Sequence, residues 1–208
     1  MTGRIDAIKS LIVPAKVIAD VGCDHGLVAA YCAESGICER VVASDISEAC
    51  LNKARLVLSD HDNVTFIACD GISYECDEAV IAGMGGILIS SILERASALP
   101  QTVVVCPHRD PDIVRRTLNR LRYSIDGDII VEERGKLYFV MRAWLAEKAQ
   151  ELSELQYLFG VHYAENCDLL KEYLQRLYNV CMLAPQKNEQ KINMVRLAMR
   201  AQGMTPDR

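Results

Sequence analysis

"VIADVGCDHGLVAAYCAESG", residues 17–36, decides how the rest of the chain is read. Val17 to Val21 form an apolar run broken by one acid, Asp20, and "GCDHG" follows at 22–26. An apolar helical pattern starts directly after the second glycine. Strand, glycine-bracketed loop and helix make the first half of a βαβ unit. In an open α/β sheet, ligands bind beyond the carboxyl ends of the strands, which is where this loop lies.

The same rhythm continues to about residue 122. Candidate strands at 17–21, 41–44, 64–68, 79–82 and 102–106 alternate with helical stretches near 26–35, 47–59, 86–97 and 111–122. Near-continuous β-branched runs fit strands covered on both faces, so a mostly parallel, Rossmann-like sheet is expected. After Tyr123 the pattern changes, and "DIIVEERGKLYFVMRAW", residues 128–144, is two strand patterns around a glycine-containing turn. That predicts an antiparallel hairpin at one edge of the sheet. From about Leu145 the chain turns helical. Leu169, Leu170, Tyr173, Leu174, Leu177, Val180 and Cys181 fall at 3–4 spacing, and Ile192, Val195, Leu197 and Met199 follow beyond Pro185. We therefore expect an α/β domain over 1–145 and a helical hairpin over 146–208.

Composition excludes several classes. No apolar stretch reaches the roughly 20 residues that cross a bilayer, so no membrane partner is expected. The segment "MTGRIDAIKSLIVP" is too polar for a secretory signal, and the nine cysteines form no CxxC pair. Reduced thiols in a cytoplasm, and no metal site, are the expectation. Net charge is −5 but uneven: −7 over residues 1–85, +2 over 86–145 and zero over 146–208. A local basic face can therefore coexist with an acidic protein.

Acids or glycines close four successive strands. Asp20 with Gly22 and Gly26 closes the first, Asp45 in "VVASDIS" the second, Asp70 in "FIACDG" the third, and "GMGG" at 83–86 in "VIAGMGG" the fourth. This is not the GxGxxG dinucleotide fingerprint, because the third glycine is missing and charged side chains occupy the loop. An acid there suits a cationic ammonium; one after the second strand can bridge ribose hydroxyls, and one after the third can accept from an adenine amine. Each acid taken alone is equally explained as a helix N-cap. Taken together, with buried carboxylates needing partners, they favour a ligand.

"VIADVGCDHG", "AVIAGMGG" and the later "LFG" before a helical tail resemble the bacterial tRNA (adenine-22 N1)-methyltransferases of the TrmK type. The resemblance spans nearly the whole chain. It implies a class I methyltransferase fold, S-adenosylmethionine as methyl donor without metal, and transfer to adenine N1 in the D-arm of tRNA. It further implies that Asp20, Gly22 and Asp24 line the methionine end, Asp45 the ribose, Asp70 and Gly71 the adenine. Cys23, His25, Gly26 and Ile46 complete the expected cofactor set. Gly83, Met84, Gly85 and Gly86 would face the target base, with Asp24 and His108 as further catalytic candidates.

The chemistry is consistent with that implication. Adenine N1 carries an in-plane lone pair, so it needs positioning and desolvation more than a strong base, and a glycine-rich wall supplies both. The product is cationic, and Asp24 is a carboxylate within reach of that charge. His25 and His108, the latter in "CPHRD", can contact substrate or serve only packing; Cys23 and Cys106 have no electrophilic carbon to attack. A tRNA partner requires cations. Arg109, Arg115, Arg116 and Arg120 cluster after the fifth strand, and Lys187 and Lys191 lie in the tail. A monomer or weak dimer is expected. Two other readings remain open: a small-molecule methyltransferase on the same scaffold, and a non-catalytic RNA-binding protein.

Overall fold

The structure is a computed structural model that describes residues 3–206. Seven strands form one sheet in the order β3-β2-β1-β4-β5-β7-β6. They are β1 Ala15–Val21, β2 Cys38–Asp45, β3 Val64–Ala68, β4 Glu78–Ala82, β5 Thr102–Cys106, β6 Tyr123–Glu133 and β7 Lys136–Leu145. β1 to β5 pair in parallel, and β7 runs antiparallel to both β5 and β6. The strand order reverses between β1 and β4, so the loops after these two strands flank the switch point.

Alternation along the strands assigns the two faces. Ile18, Val80 and Val104 pack with α1 Arg4–Leu11, α2 Leu27–Ser35 and α3 Glu48–Val57. Ala19, Val21, Ile81 and Val105 pack with α4 Gly86–Glu94 and α5 Pro111–Arg120. That second core continues into the tail, through Phe159 of α6 Glu154–Phe159, Leu170 and Leu174 of α7 Asp168–Leu183, and Ile192 and Val195 of α8 Glu189–Ala201. Sheet and tail thus share one hydrophobic cluster.

Local chemistry sets the element ends. Ser47 caps α3, Ser153 and Gln156 form a reciprocal capping box on α6, and Asn188 caps α8. α7 stops at Leu183, with Ala184 extended ahead of Pro185, which disfavours helix at the preceding residue. The hairpin turn is Arg134–Gly135, both at positive φ (52° and 77°), the geometry of a two-residue type I′ connection.

Three departures from the sequence expectation have physical causes. Helix α1 was not anticipated, because its eight residues mix four charged or hydroxyl side chains with a short apolar face. β6 begins at Tyr123 rather than near 128; its register shifts between Ile125 and Gly127, which breaks the strict alternation. In the tail, Val180 and Leu197 are 65 % and 47 % exposed, while Tyr178 and Ala198 take the inward positions.

The tail is fastened by a buried ion pair. Arg115 of α5 donates from Nε and Nη2 to Asp128 of β6 at 2.7 and 3.0 Å, and from Nη1 to the Tyr157 carbonyl at 3.0 Å. Its guanidinium lies 4.5 Å from the Phe139 ring centroid, and the Val161 amide donates to Asp128 at 2.9 Å. Both side chains are fully buried. Asp128→Ala leaves a buried guanidinium unpaired and should cost about 3–5 kcal/mol of stability. An Arg115→Met/Asp128→Leu double variant should lose clearly less in urea unfolding; equal losses would mean that the charges themselves are unimportant.

Candidate active site

At the carboxyl end of β1 the chain turns sharply. Gly22 sits at φ 74°, and its amide and that of Cys23 both donate to the Ser44 carbonyl of β2, at 2.8 and 3.0 Å. A side chain at Gly22 would be strained by that φ and would overlap the end of Met84. Asp20 is buried, and its Oδ2 accepts from the Ala29 amide in the first turn of α2 at 3.0 Å. Burial pushes its carboxyl up to about 7; the Ala29 hydrogen bond pulls down and the Asp45 charge adds upward.

Asp45, at the end of β2, accepts from the Ser47 amide at 2.8 Å and from the Asp24 amide at 3.3 Å. Asp24 itself is exposed at φ 43°, with Lys53 Nζ at 3.5 Å and His25 Nε2 at 3.6 Å from its carboxylate. Just past β3, both oxygens of Asp70 accept from Arg95, at 2.9 and 3.2 Å. The hydrogen bonds and charge of Arg95 hold the Asp70 carboxyl below its ordinary range.

These residues surround one cavity of about 670 Å³ at the switch point. Asp20, Gly22, Cys23, Asp24, His25, Asp45, Ile46, Asp70, Gly71, Gly83, Met84 and His108 all line it. Gly26, Gly85 and Gly86 are not among its lining residues. Gly86 starts α4 against the loop after β5, where its amide donates to the Arg109 carbonyl and a Cβ would collide with the Asp110 carbonyl oxygen. That close approach to the loop is reason enough for a glycine here. Cys23 is buried with its thiol pushed up to about 12 by burial, which suits packing rather than nucleophilic use.

Sequence reasoning missed the opposite wall. Arg4, Ile5 and Ile8 of α1 and Glu133 and Arg134 of the hairpin line the same cavity, as do Leu88 and Ile92 of α4. Ile5 and Ile8 lie at helical spacing and were the available signal; nothing local indicated that Arg4 meets Glu133 and His108. The cavity is therefore two-sided, with carboxylates at the ends of β1, β2 and β3 on one side and Arg4, His108, Glu133 and Arg134 on the other.

The basic candidates separate. Arg109 has a side chain 78 % exposed, with Asp110 at 3.7 Å, and lies before α5 rather than on its face. Arg115 is corrected: sealed against Asp128, it cannot reach a phosphate. Arg116 pairs with Glu154 and Arg120 with Glu94, so each is locally balanced. Lys187 and Lys191 are exposed. Among the described residues no group of three or more His, Cys, Asp or Glu could hold a metal ion, and no helix is long and apolar enough to cross a membrane.

Asp20 gives a pH signature of its own. Its folded value lies above the ordinary 3.8, so the burial penalty is absent at low pH, grows as pH rises toward about 7, and stays constant above. Asp20→Asn should therefore gain stability over the parent progressively from about pH 4 to 7, then level off. Urea midpoints of both proteins without cofactor, at pH 5 to 8, check this; a pH-independent difference would contradict the buried carboxyl.

Known proteins resemble this chain in sequence and fold. The methyltransferase-domain family model matches residues 1–141. A Mycoplasma pneumoniae protein, provisionally named a tRNA methyltransferase, is 34% identical over 188 residues, covering 86% of this chain and 87% of its own. The Bacillus subtilis tRNA (adenine(22)-N(1))-methyltransferase is 26% identical over 153 residues, covering 69% and 64%. The structure of Mycoplasma capricolum TrmK with S-adenosyl-homocysteine superposes with a TM-score of 0.84 at 20% identity, covering 97% and 98% of the two chains. With its sheet order, its cavity at the switch point and these matches, the chain belongs to the methyltransferase-domain family.

Proposed function

We propose that the protein transfers a methyl group from S-adenosylmethionine to N1 of an adenine in the D-arm of tRNA. One observation carries the reading: Asp20, Asp45 and Asp70 line a single cavity from three neighbouring strand ends, with cations facing them. The relatives' names supply the substrate, an adenine at position 22 in the Bacillus subtilis enzyme. The protein acts in the cytoplasm, as a monomer or weak dimer.

The cavity fits the cofactor. Its volume, about 670 Å³, lies in the range of small-molecule sites, and its carboxylate acceptors are matched to a cationic nucleoside. Bound there, S-adenosylmethionine supplies a methyl group on a positively charged sulfur. Asp20 then meets positive charge, which favours its ionised form against the burial that now raises it. Asp45, already oriented by two backbone amides, keeps lone pairs for two ribose hydroxyls. Asp70, clamped by Arg95, is oriented for an exocyclic amine.

On the acceptor side, Gly83 and Met84 offer no carboxylate or amide, and N1 attack needs none. Asp24, half-exposed between the two sides, stabilises positive charge as it appears on the methylated base. An adenine held in a folded arm must be unstacked, at a cost of a few kcal/mol that contacts elsewhere on the RNA offset. Exposed Arg109, Lys187 and Lys191 are the cations we assign to those contacts.

The direct test is mass spectrometry of nucleosides from unmodified tRNA incubated with the protein and isotopically labelled S-adenosylmethionine. Labelled 1-methyladenosine is expected, and its absence with folded protein would refute the reading. Asp45→Ala should weaken cofactor binding by about 1.5–3 kcal/mol in calorimetric titration, the loss of charge-assisted hydrogen bonds. Asp24→Ala should instead slow single turnover at saturating cofactor and tRNA; a wild-type rate would remove Asp24 from the chemistry.

A further inference from the structure

We propose that Arg4 is a positioning residue for His108, fixing its imidazole neutral, with Nε2 as acceptor, on the acceptor wall of the cavity. This deepens the functional reading above and rests on it for the identity of the acceptor. Arg4 Nη1 lies 2.5 Å from His108 Nε2. A guanidinium has donors only, so Nε2 must accept and carries no proton; the ring's single proton is on Nδ1.

Arg4 is held on its other sides. Its backbone amide donates to Glu133 Oε1 at 3.3 Å, and Nη2 lies 3.6 Å from Glu133 Oε2. Its guanidinium sits 5.0 Å from the Tyr138 ring centroid, and Tyr138 meets His108 edge-on at 5.8 Å. Among the described residues the buried Nε of Arg4 has no acceptor, and the side chain lines the cavity.

The charges facing His108 come from every neighbouring element. Burial lowers its affinity for a proton most, then Arg4 from α1 and Lys136 from β7; Glu133 from β6 opposes them. Cys106 of β5 stays a neutral thiol, pushed up to about 12 by burial. The consequence is chemical. An imidazolium would set an Nε2–H against the Arg4 donor and would add a further positive charge beside a cationic cofactor. A fixed Arg4 cation directed at Nε2 discourages that protonation.

The test is a histidine-ring NMR titration of the full chain without cofactor, with His108→Gln assigning the resonance. Wild-type His108 should titrate below the ordinary range, with nitrogen shifts of an Nδ1–H tautomer. Arg4→Ala should raise the midpoint by about half a pH unit or more, because it removes a cation and frees Glu133. Arg4→Gln, which keeps the stem and the helix, should do the same if the alanine variant folds poorly. In kcat/KM for tRNA, the acid limb should move up by a similar interval. An unmoved titration in a folded variant, or an Nε2–H tautomer in the wild type, overturns the proposal. Absence of methylation by the wild type would refute the functional reading instead, and the NMR arms would still decide the charge and tautomer of His108.

Discussion

A charge pair sealed from water ties the molecule together. Arg115 and Asp128 would each be very costly to bury alone, and their attraction repays desolvation only when the remaining donors and lone pairs are also satisfied. Here they are: Tyr157 accepts the third guanidinium nitrogen, Phe139 covers its face and Val161 donates to the carboxylate. Those partners belong to α5, β6, β7 and the segment around α6, so one interaction sets where the tail sits against the sheet. The effect reaches the cavity. Arg176 of α7 donates to the Gly135 carbonyl at 2.8 Å, and Gly135 is the second residue of the turn whose first residue, Arg134, lines the cavity. A tail placed by Arg115 and Asp128 thus supports a wall of the site.

The strand-end acids show that a capping role and a ligand role are compatible. Sequence alone offered them as alternatives, yet Asp20 accepts from the first turn of α2 and Asp45 from Ser47 while both line the cavity. A carboxylate has about four lone-pair directions, and one or two backbone amides use only part of them. Anchoring by the backbone also fixes the remaining directions before any ligand arrives, which removes an ordering cost from binding. Asp70 reaches the same end differently, through Arg95, because no helix begins at its loop.

What was legible in the sequence is what depends on neighbours in the chain. Strand periodicity, the glycine loop at 22–26 and the acids after β1 to β3 are local patterns, and the structure places the acids and Gly22 around one cavity. Arg115 was illegible for the opposite reason. Its charge is visible, but its partner lies on β6 and its burial depends on tail residues more than 40 positions away, at Tyr157 and Val161. The wall made by Arg4 and Glu133, 129 positions apart, is beyond any local pattern. The close approach of Gly86 to Asp110 was equally hidden, because a glycine required by backbone packing looks the same in sequence as one required by a ligand.

The two-sided cavity follows from the sheet order rather than from any single residue. Because β1 to β3 run outward on one side of the switch point, their terminal acids gather there; because β4, β5 and the hairpin occupy the other side, His108, Glu133 and Arg134 gather opposite. In water the fields of such charges are screened within about 8–10 Å, so each acts mainly on its own side of the recess. Helix α1 completes this arrangement from outside the alternating pattern. It packs on the α2–α3 face through Ala7 and Ile8 yet sends Arg4 across to the hairpin, so the face that anchors Asp20 also supplies the opposing cation.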